Sequence, residues 1–524
     1  MAADPAKFRP FKHGCGSDAR LTRFALDLSG KTLALAGAFW LALGFSVRAI
    51  EATSGVNTNL IESGPEALKE SARVTIETNV APETVSTNVP PPKPKSFHVE
   101  YSWEGWNGLY VELRHKTVLG YLDPGITNAW YLNPAARRSL GSTNVSANTN
   151  YLTLHLEETK MAAKIGAKLA IDGAAYVTGQ QFQNFEDGVE VRRARVYAKG
   201  DCILVLPVFY ELEVGYVPNR FYIENSYLSF KDLPLIGEFK AGQFQAPMSL
   251  DMITSSRDVS FMENASPLEA LAPGTSAGIE IGQPVFDRRA TWKFGLFTDG
   301  QTGDFGDAST DYGRAILRFT GLPIANLNPE EPEKNRYLHL GWGANVLYSG
   351  SSSVQYRSRP ESHLAPYVID TGQIDAEGAV VTCIEAAWVN GPLSVQSEYL
   401  RSWVRENNGR EPTFGGFYVS ASWFLTGESR PYDRVEGRFD RVIPKHTAFE
   451  HSGWGAWEIV GRFSYADLDS EDIHGGRLAM FMAGVNWYLH SHLKWRFNYG
   501  YGHVADYNPS GSINIFQTRV EVDF

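Results

Sequence analysis

The segment Leu493-Lys-Trp-Arg-Phe-Asn-Tyr-Gly-Tyr501 decides the fold of this chain. Its aromatic side chains fall on odd-numbered positions, whereas Lys494 and Arg496 fall on even-numbered ones. Alternation with a period of two is typical of a β-strand that has one apolar and one polar face. Residues 457–465 and 513–524 repeat the same pattern. The C-terminal part of the chain is therefore predicted to form amphipathic strands.

The length and chemistry of these segments favour a membrane barrel over a soluble sandwich. They span about 9–12 residues, the length of a tilted membrane strand, and they carry aromatic residues near their ends. The apolar face of a soluble sandwich is instead an aliphatic core, and its strands are shorter. The chain also ends on Phe524, as outer-membrane barrels commonly do. We predict an all-β fold, a transmembrane antiparallel β-barrel.

The same alternation predicts about sixteen strands from residue 98 onward, and a closed bacterial barrel needs an even number. The predicted strands lie near 161–177, 189–199, 203–214, 220–231, 235–245, 276–284, 290–298, 312–320, 336–348, 378–389, 393–404, 415–425, 455–466, 478–489, 493–502 and 513–524. Strand-like pieces within residues 100–160 leave eighteen strands as an alternative.

Connection lengths provide an independent test of this strand pattern. If the last strand ends in the periplasm, every second connection should be short, and 390–392 and 490–492 follow this rule. The third external loop is expected at 246–275. Two connections on the periplasmic side, 321–335 and 426–454, are longer than the rule predicts.

The N-terminal region has a different composition and is predicted to lie outside the barrel. Residues 1–49 combine a basic start, a short apolar run and Val47-Arg48-Ala49, a pattern typical of a secretory signal peptide. A single anchoring helix is the alternative, but the apolar run is short for a span. Residues 50–97 are polar and end in a proline-rich stretch, which predicts a periplasmic linker or, alternatively, a partner-binding stalk. Residues 98–524 then form the barrel domain.

The composition excludes several classes of protein. The 524 residues include 48 basic and 59 acidic ones, and the formal charge of −11 argues against a nucleic-acid partner. Three scattered cysteines form no metal motif, and whether Cys202 and Cys383 pair is left open. The sequence contains no HExxH, phosphate-loop or GxSxG motif. We predict no catalytic residues, no cofactor and no metal site, so the protein is not expected to be an enzyme.

Five segments resemble the porin O/P family, the phosphate-selective porins of Gram-negative outer membranes. They are Val191-Arg-Arg-Ala-Arg-Val-Tyr-Ala-Lys-Gly200, Phe239-Lys-Ala-Gly-Gln-Phe-Gln-Ala-Pro247, Phe424-Leu-Thr-Gly-Glu-Ser-Arg-Pro-Tyr-Asp433, Gly455-Ala-Trp-Glu-Ile-Val-Gly-Arg-Phe-Ser-Tyr465 and Gly484-Val-Asn-Trp-Tyr-Leu489. The resemblance covers about residues 160–524, in family order. It implies a sixteen-stranded, usually trimeric channel for anions, with a third external loop folded inward to narrow the pore.

The strand alternation also predicts which cations face the lumen. Within 189–199, Arg193, Arg195 and Lys199 share one face, and small apolar residues occupy the other. A cation on the lipid face costs about 2–4 kcal/mol at the midplane, so the basic face should be internal. The predicted anion pathway comprises Arg193, Arg195, Lys199, Lys240, Arg257, Lys494 and Arg496. The alternative is that these residues only pair with lumen carboxylates and hold the wall.

The third external loop carries the wrong charge for a phosphate filter. It has one basic residue, Arg257, and four acidic ones, Asp251, Asp258, Glu263 and Glu269, so its own charge is −3. The leading hypothesis is still passive diffusion of small phosphate-like or polyphosphate-like anions through a homotrimer in outer-membrane lipid.

Three other functions remain open at this point. The barrel could be a general or weakly cation-selective porin. It could instead anchor the envelope through residues 50–97. A β-rich exported enzyme or carbohydrate-binding protein is the third alternative.

Overall fold

A computed structural model describes residues 73–74, 97–103, 109–122, 143–148 and 151–524, apart from 183, 204–206, 218–219, 299–311, 329–330 and 449–452. The predicted signal peptide, residues 1–49, and nearly all of the predicted linker lie outside the described residues. In the described part, no helix is both long and apolar enough to cross a membrane.

Twenty-four strands and two short α-helices occur in the described part of the chain. The strands are β1 (Arg73–Val74), β2 (Phe97–Trp103), β3 (Leu109–Leu122), β4 (Thr143–Asn148), β5 (Tyr151–Thr178), β6 (Gly188–Ile203), β7 (Pro207–Val217), β8 (Arg220–Leu233), β9 (Gly237–Gln245), β10 (Thr275–Val285), β11 (Ala290–Thr298), β12 (Tyr312–Asn326), β13 (Arg336–Val354), β14 (Arg357–Ser358), β15 (Ile369–Asp370), β16 (Ile374–Asn390), β17 (Leu393–Glu406), β18 (Thr413–Phe424), β19 (Tyr432–Asp433), β20 (Arg438–Phe439), β21 (Ala456–Ser470), β22 (Ile473–His490), β23 (Leu493–Ala505) and β24 (Gly511–Asp523). The helices are α1 (Leu250–Ile253) and α2 (Ser266–Leu271), and a 3-10 turn spans Pro332–Lys334.

Sixteen strands close into an antiparallel barrel, each paired with the next barrel strand along the chain. The barrel strands are β5 to β13, β16, β17, β18 and β21 to β24. The last strand, β24, pairs with β5 in the register Asp523 opposite Lys168. Beyond it, Phe524 and Ala167 exchange two backbone hydrogen bonds of 3.0 and 3.1 Å. The predicted sixteen strands are confirmed, and closure leaves no free barrel edge.

The eighteen-strand alternative is wrong because the extra strands pair outside the closed barrel. Strand β5 has 28 residues, and only its C-terminal part pairs with β24. Its N-terminal part pairs with β3, beginning at Leu109 opposite Ile165, and β2 pairs with β3. Strand β4 pairs with the start of β5. The strand-like pieces within 100–160 therefore extend the sheet beyond the barrel, at the end that holds the C-terminus.

Alternation along each strand separates the lumen from the outer surface. On β23, Lys494, Arg496 and Asn498 are buried, whereas Trp495 and Phe497 are exposed. On the outer surface, Trp457, Trp487 and Trp495 stack across three neighbouring strands, with ring centroids 5.0 and 6.5 Å apart. Aromatic rows of this kind are typical of the membrane interface of a barrel. The two faces of these strands follow the sequence pattern.

Three connections fold into the lumen. Loop 246–274 carries α1 and α2, and loop 355–373 carries β14 and β15. Both leave the end of the barrel opposite the C-terminus. Segment 425–448, which carries the β19–β20 hairpin, enters from the C-terminal end. Its inward path explains why the predicted connection 426–454 is too long for a turn. The other long connection is shorter than predicted because β12 continues to Asn326.

The lumen has an apolar core where these segments meet the wall. Phe261, Leu268 and Leu271 of loop 246–274 belong to one buried cluster with Tyr418 and Met480 of the barrel. In a smaller cluster, Leu250 packs with Phe439 of segment 425–448 and with Tyr337 of β13. Cys202 and Cys383 are both buried and free, so they do not form the disulfide that the sequence left open.

Candidate pore constriction

Loop 246–274 has local signals that fix its two helical turns. The Ser249 side chain caps α1 by accepting a hydrogen bond from the Met252 amide at 3.3 Å. Pro267 lies in the first turn of α2, where its missing N–H costs nothing. The amides of Leu250 and Asp251 also donate to the Glu398 carboxylate of β17, at 3.2 and 2.9 Å. These contacts attach the start of the loop to one side of the barrel.

Two of the predicted pathway cations hold the middle of this loop. Arg496 donates to the carbonyls of Phe261, Ser256 and Arg257 at 2.8–3.3 Å, and it pairs with Glu521 at 2.8 Å. Lys494 donates to the carbonyl of Val259 at 3.0 Å. Both face the lumen, as alternation predicts, but they lie behind the loop and are buried.

Further wall arginines anchor the loop, although the sequence analysis did not single them out. Arg519 donates to the Met262 carbonyl and pairs with both Asp172 and Glu263. Arg462 donates to the carbonyl of Glu263 at 3.0 Å and pairs with a residue of loop 355–373, Glu361. The only signal for these roles was their place on the polar face of a strand.

A cavity of about 390 Å³ remains between loop 246–274 and the wall of β5 to β11. Five predicted residues line it: Arg193, Arg195, Lys199, Lys240 and Arg257. Lys494 and Arg496 do not line it. Four cations that were not predicted complete the set: Lys168, Arg192, Lys293 and Arg438. The lining acids are Glu211, Glu213, Glu224, Asp251, Glu263, Glu280 and Glu436. Nine cations against seven acids give the lining two net positive charges.

A β-bulge brings two consecutive arginines into the cavity. Ala170 of β5 is opposite Arg193, but Ile171 is opposite Val191, so Arg192 has no partner in the ladder. Arg192 pairs with Glu263 of the loop at 3.0 Å. Strict alternation directs Arg192 outward, which is why the sequence analysis missed it.

Most cavity cations are paired with carboxylates. The pairs are Lys168–Glu213 at 2.8 Å, Arg195–Glu224 at 2.9 Å, Arg195–Glu213 at 3.3 Å, Lys240–Glu280 at 3.6 Å, Lys293–Glu280 at 3.5 Å, Arg257–Asp523 at 3.0 Å and Arg257–Asp258 at 3.3 Å. Lys293 also pairs with Glu436. These charges largely compensate one another.

Three cavity cations, Arg193, Lys199 and Arg438, form no such pair in the described part of the chain, and Arg193 is the one of the three that is buried. It is only 8% exposed, and its Nη1 atom is buried without a hydrogen bond. Among the side chains that the structure describes, no carboxylate lies within 4.0 Å of its guanidinium. The charges of Arg519 and Arg192 act on it with the same sign, and those of Glu263 and Glu521 oppose them from beyond ion-pair distance. Burying an unpaired guanidinium is costly, and its free N–H groups can donate charge-assisted hydrogen bonds.

Two acidic groups of the loop, Glu263 and Asp251, have pKa values that are shifted in opposite directions by their surroundings. Burial acts to raise the pKa of Glu263, but Arg192 and Arg519 hold that pKa well below its usual range. Glu263 is therefore ionised and neutralised by its partners. Burial also acts on Asp251, and it raises the pKa of that carboxyl.

One cluster in the described part has the composition of a metal site, namely Cys383, Glu385 and Glu398. Its carboxylates already bind protein donors. Glu385 accepts two hydrogen bonds from Arg318, at 2.8 and 2.7 Å, and Glu398 accepts one from Tyr418 at 2.6 Å. These contacts make the cluster part of the network that joins the wall to the inserted segments.

A closed sixteen-stranded barrel that is narrowed from within and carries a charged cavity has the architecture of a porin, a channel rather than an enzyme. The model of the family described as phosphate-selective porin O and P matches residues 164–524, so the chain belongs to this family. The protein is an outer-membrane porin, and the resemblance seen in the sequence is confirmed.

This chain is similar to several known proteins. A Caulobacter vibrioides protein described as "Uncharacterized protein" is 28% identical over 364 residues, which cover 64% of this chain and 68% of that protein. Porin O of Pseudomonas aeruginosa is 31% identical over 122 residues, so the match spans 21% of this chain and 27% of that porin. The solved structure titled "Anion-selective porin from Comamonas acidovorans" has a TM-score of 0.44 and 12% identity, and the match covers 69% of this chain and 99% of that one.

Proposed function

We propose that this porin passes small anions, of the size and chemistry of phosphate, through the cavity beside loop 246–274. The observation that carries the proposal is Arg193, a buried guanidinium in the cavity lining with no carboxylate partner. Such a group is costly to bury unless an anion binds it. A phosphate oxyanion offers two acceptor oxygens in the geometry that the guanidinium fork fits.

Other cations of the lining would complete the path around Arg193. Arg195, Lys199, Lys240 and Arg257 line the same cavity, and the lining has two net positive charges. Conduction needs binding that is strong enough to admit an ion and weak enough to release it. A lining that combines partly compensated cations with a buried arginine that has no carboxylate partner meets that requirement.

The negative charge of loop 246–274 is compatible with this function. Glu263 pairs with Arg192 and Arg519, Glu269 with Arg359, and Asp258 with Arg257. Three of the four acids of the loop are therefore neutralised by basic partners. Their formal charge contributes little to the field in the cavity.

The remaining parts of the proposal rest on the sequence and on the family. We infer that residues 1–49 direct export and that residues 50–97 form a periplasmic linker. We also infer that the barrel assembles as a homotrimer, with its aromatic outer face in outer-membrane lipid. In this arrangement Lys494 and Arg496 act indirectly, because they hold the loop that narrows the path.

The test is a reversal-potential measurement on the purified protein in planar bilayers across a salt gradient, followed by addition of phosphate. The wild type should be anion-selective and its current should be blocked by phosphate. Arg193→Gln should weaken the block about tenfold or more, because a charge-assisted hydrogen bond is worth roughly 1.5–3 kcal/mol. The control is Arg405→Gln, which removes a cation that is 71% exposed and paired with Glu377.

Each other result would remove part of the proposal. A small reversal potential in the wild type, or one with the sign of a cation-selective channel, would favour a general porin. A phosphate block that is equal in Arg193→Gln and the wild type would exclude Arg193 as the binding group. If the folded barrel produced no channel events, passive conduction itself would be excluded.

A further inference from the structure

Segment 425–448 contributes a carboxylate to the cavity from the C-terminal end of the barrel. Glu436 lines the cavity and pairs with Lys293 of β11. A second carboxylate, Glu280 of β10, lies 3.5 Å from Lys293 and 3.6 Å from Lys240. Two acids thus compensate two lysines of the lining. One acid belongs to the wall and the other to an inserted segment.

The wall holds the hairpin that carries Glu436 in place. Arg318 donates to the carbonyl of Gly437 at 2.9 Å. Gly437 has a φ of +68°, and a Cβ there would lie 2.8 Å from Thr291 Oγ1. On the loop side, Arg438 donates to the carbonyl of Ile253 at 2.9 Å. The hairpin is therefore fixed between the barrel wall and loop 246–274, with Glu436 directed at Lys293.

The two carboxylates differ in the exposed fraction of their side chains. The Glu280 side chain is 5% exposed, whereas that of Glu436 is 23% exposed. The charge of Lys293, and to a lesser extent that of Lys240, holds the pKa of Glu436 well below its usual range, against the effect of burial. Glu436 thus keeps a permanent negative charge at the cavity surface.

We propose that Glu436 is a specificity-determining residue, an internal counter-ion that competes with permeating anions for Lys293. By pairing with this lysine, it lowers the preference of the channel for anions and weakens their retention. The inference rests on the proposed function only in taking the cavity as the ion path. It does not require that the wild type select phosphate.

The direct test removes the charge of Glu436 and keeps the size and shape of its side chain. Glu436→Gln should raise the anion-to-cation permeability ratio about sevenfold, because removing one elementary charge at roughly 7 Å in water favours monovalent anions and disfavours monovalent cations by about 2.7-fold each. It should also strengthen the phosphate block. Lys293 keeps Glu280 as a partner in this variant, so no buried lysine is stranded. Asp440→Asn is the matched control, since Asp440 is an exposed acid of the same segment. It should leave the ratio unchanged.

A second variant covers the case in which Glu436→Gln does not fold. In Glu436→Cys, a negatively charged thiol reagent should return the permeability ratio to that of the wild type, and a positively charged reagent should raise it further. Cys202 and Cys383 are buried, and the treated wild type serves as the control. Equal ratios in wild type, Glu436→Gln and Asp440→Asn, or no response of the cysteine variant to reagent charge, would overturn the inference. A cation-selective wild type that Glu436→Gln shifts toward anions would overturn only the proposed function.

Discussion

Asp251 shows how burial in the lumen sets the charge of a single side chain. It lies in the first turn of α1, lines the cavity, and accepts a hydrogen bond from Gln396 at 3.2 Å. Burial raises the pKa of its carboxyl above the usual 3.8, although Arg462 and Arg430 act in the opposite direction. The folded protein therefore binds this proton more tightly than the unfolded chain does.

This shift has a definite sign in the stability of the protein. A carboxyl whose pKa is raised on folding loses stability as pH rises from 3.8 through the folded value. Asp251→Asn removes the ionisable carboxyl, so the variant does not lose this stability as pH rises. At neutral pH the variant should unfold a few degrees higher than the wild type, and well below pH 3.8 the two should unfold together. Thermal unfolding followed by tryptophan fluorescence in detergent measures both. A difference that persists in acid would contradict this account.

The sequence identified lumen-facing cations well but could not identify their partners. Alternation was sufficient to place Arg193, Arg195 and Lys494 on the inner face. The partners that distinguish one of these cations from another are distant in the sequence. Lys494, for example, donates to the carbonyl of Val259, 235 residues away. The absence of a partner at Arg193 is likewise visible only once the barrel has closed. Arg192 was missed because a bulge breaks the period of two.

At the scale of elements, loop 246–274 is held by side chains of the wall rather than by its own structure. Its two helices have four and six residues, too short to be stable alone. Arg496 donates to three of its carbonyls and also pairs with Glu521. The position of the loop therefore depends on cations of the wall that do not line the cavity.

Removal of Arg496 should release this loop. Arg496→Gln loses the bonds to the loop and leaves Glu521 without its 2.8 Å partner, and breaking a buried pair costs about 3–5 kcal/mol. We expect a lower unfolding temperature and a larger, noisier single-channel current. The control is Arg477→Gln, which removes an exposed arginine that also has several acidic partners and should change little. A quiet current of wild-type size would show that the loop holds without Arg496.

The paths of the segments that fold into the lumen could not be predicted from the sequence. The sequence showed that connection 426–454 was too long for a turn but not where it goes. Its path depends on Lys293, Arg318 and His339, which come from three different wall strands. No local pattern in the segment encodes those contacts. Strand positions were predictable because period and length are local properties.

At the scale of the whole molecule, strand β5 joins two parts of one sheet, the closed barrel and the extension beyond it. Its C-terminal part closes the barrel with β24, and its N-terminal part carries β3 on the same edge. Every barrel strand from β6 onward pairs only with barrel neighbours in the described part. The closed wall therefore needs nothing before β5. Even strand number and the aromatic faces made this closure predictable, whereas the sheet extension before residue 160 was not.

Because the closed wall needs nothing before β5, the result of deleting the N-terminal linker can be predicted. A chain without residues 50–96 lacks β1 but keeps β2 to β24, including the seam between Ala167 and Phe524. It should still show heat-modifiable migration, and its single-channel conductance and reversal potential should equal those of the full chain. Loss of the folded band would mean that the linker takes part in assembly. An unchanged channel that no longer co-sediments with cell-wall material would assign the linker a separate anchoring role. Because the cavity and its cations all lie beyond residue 160, the deletion cannot alter selectivity unless it alters the barrel.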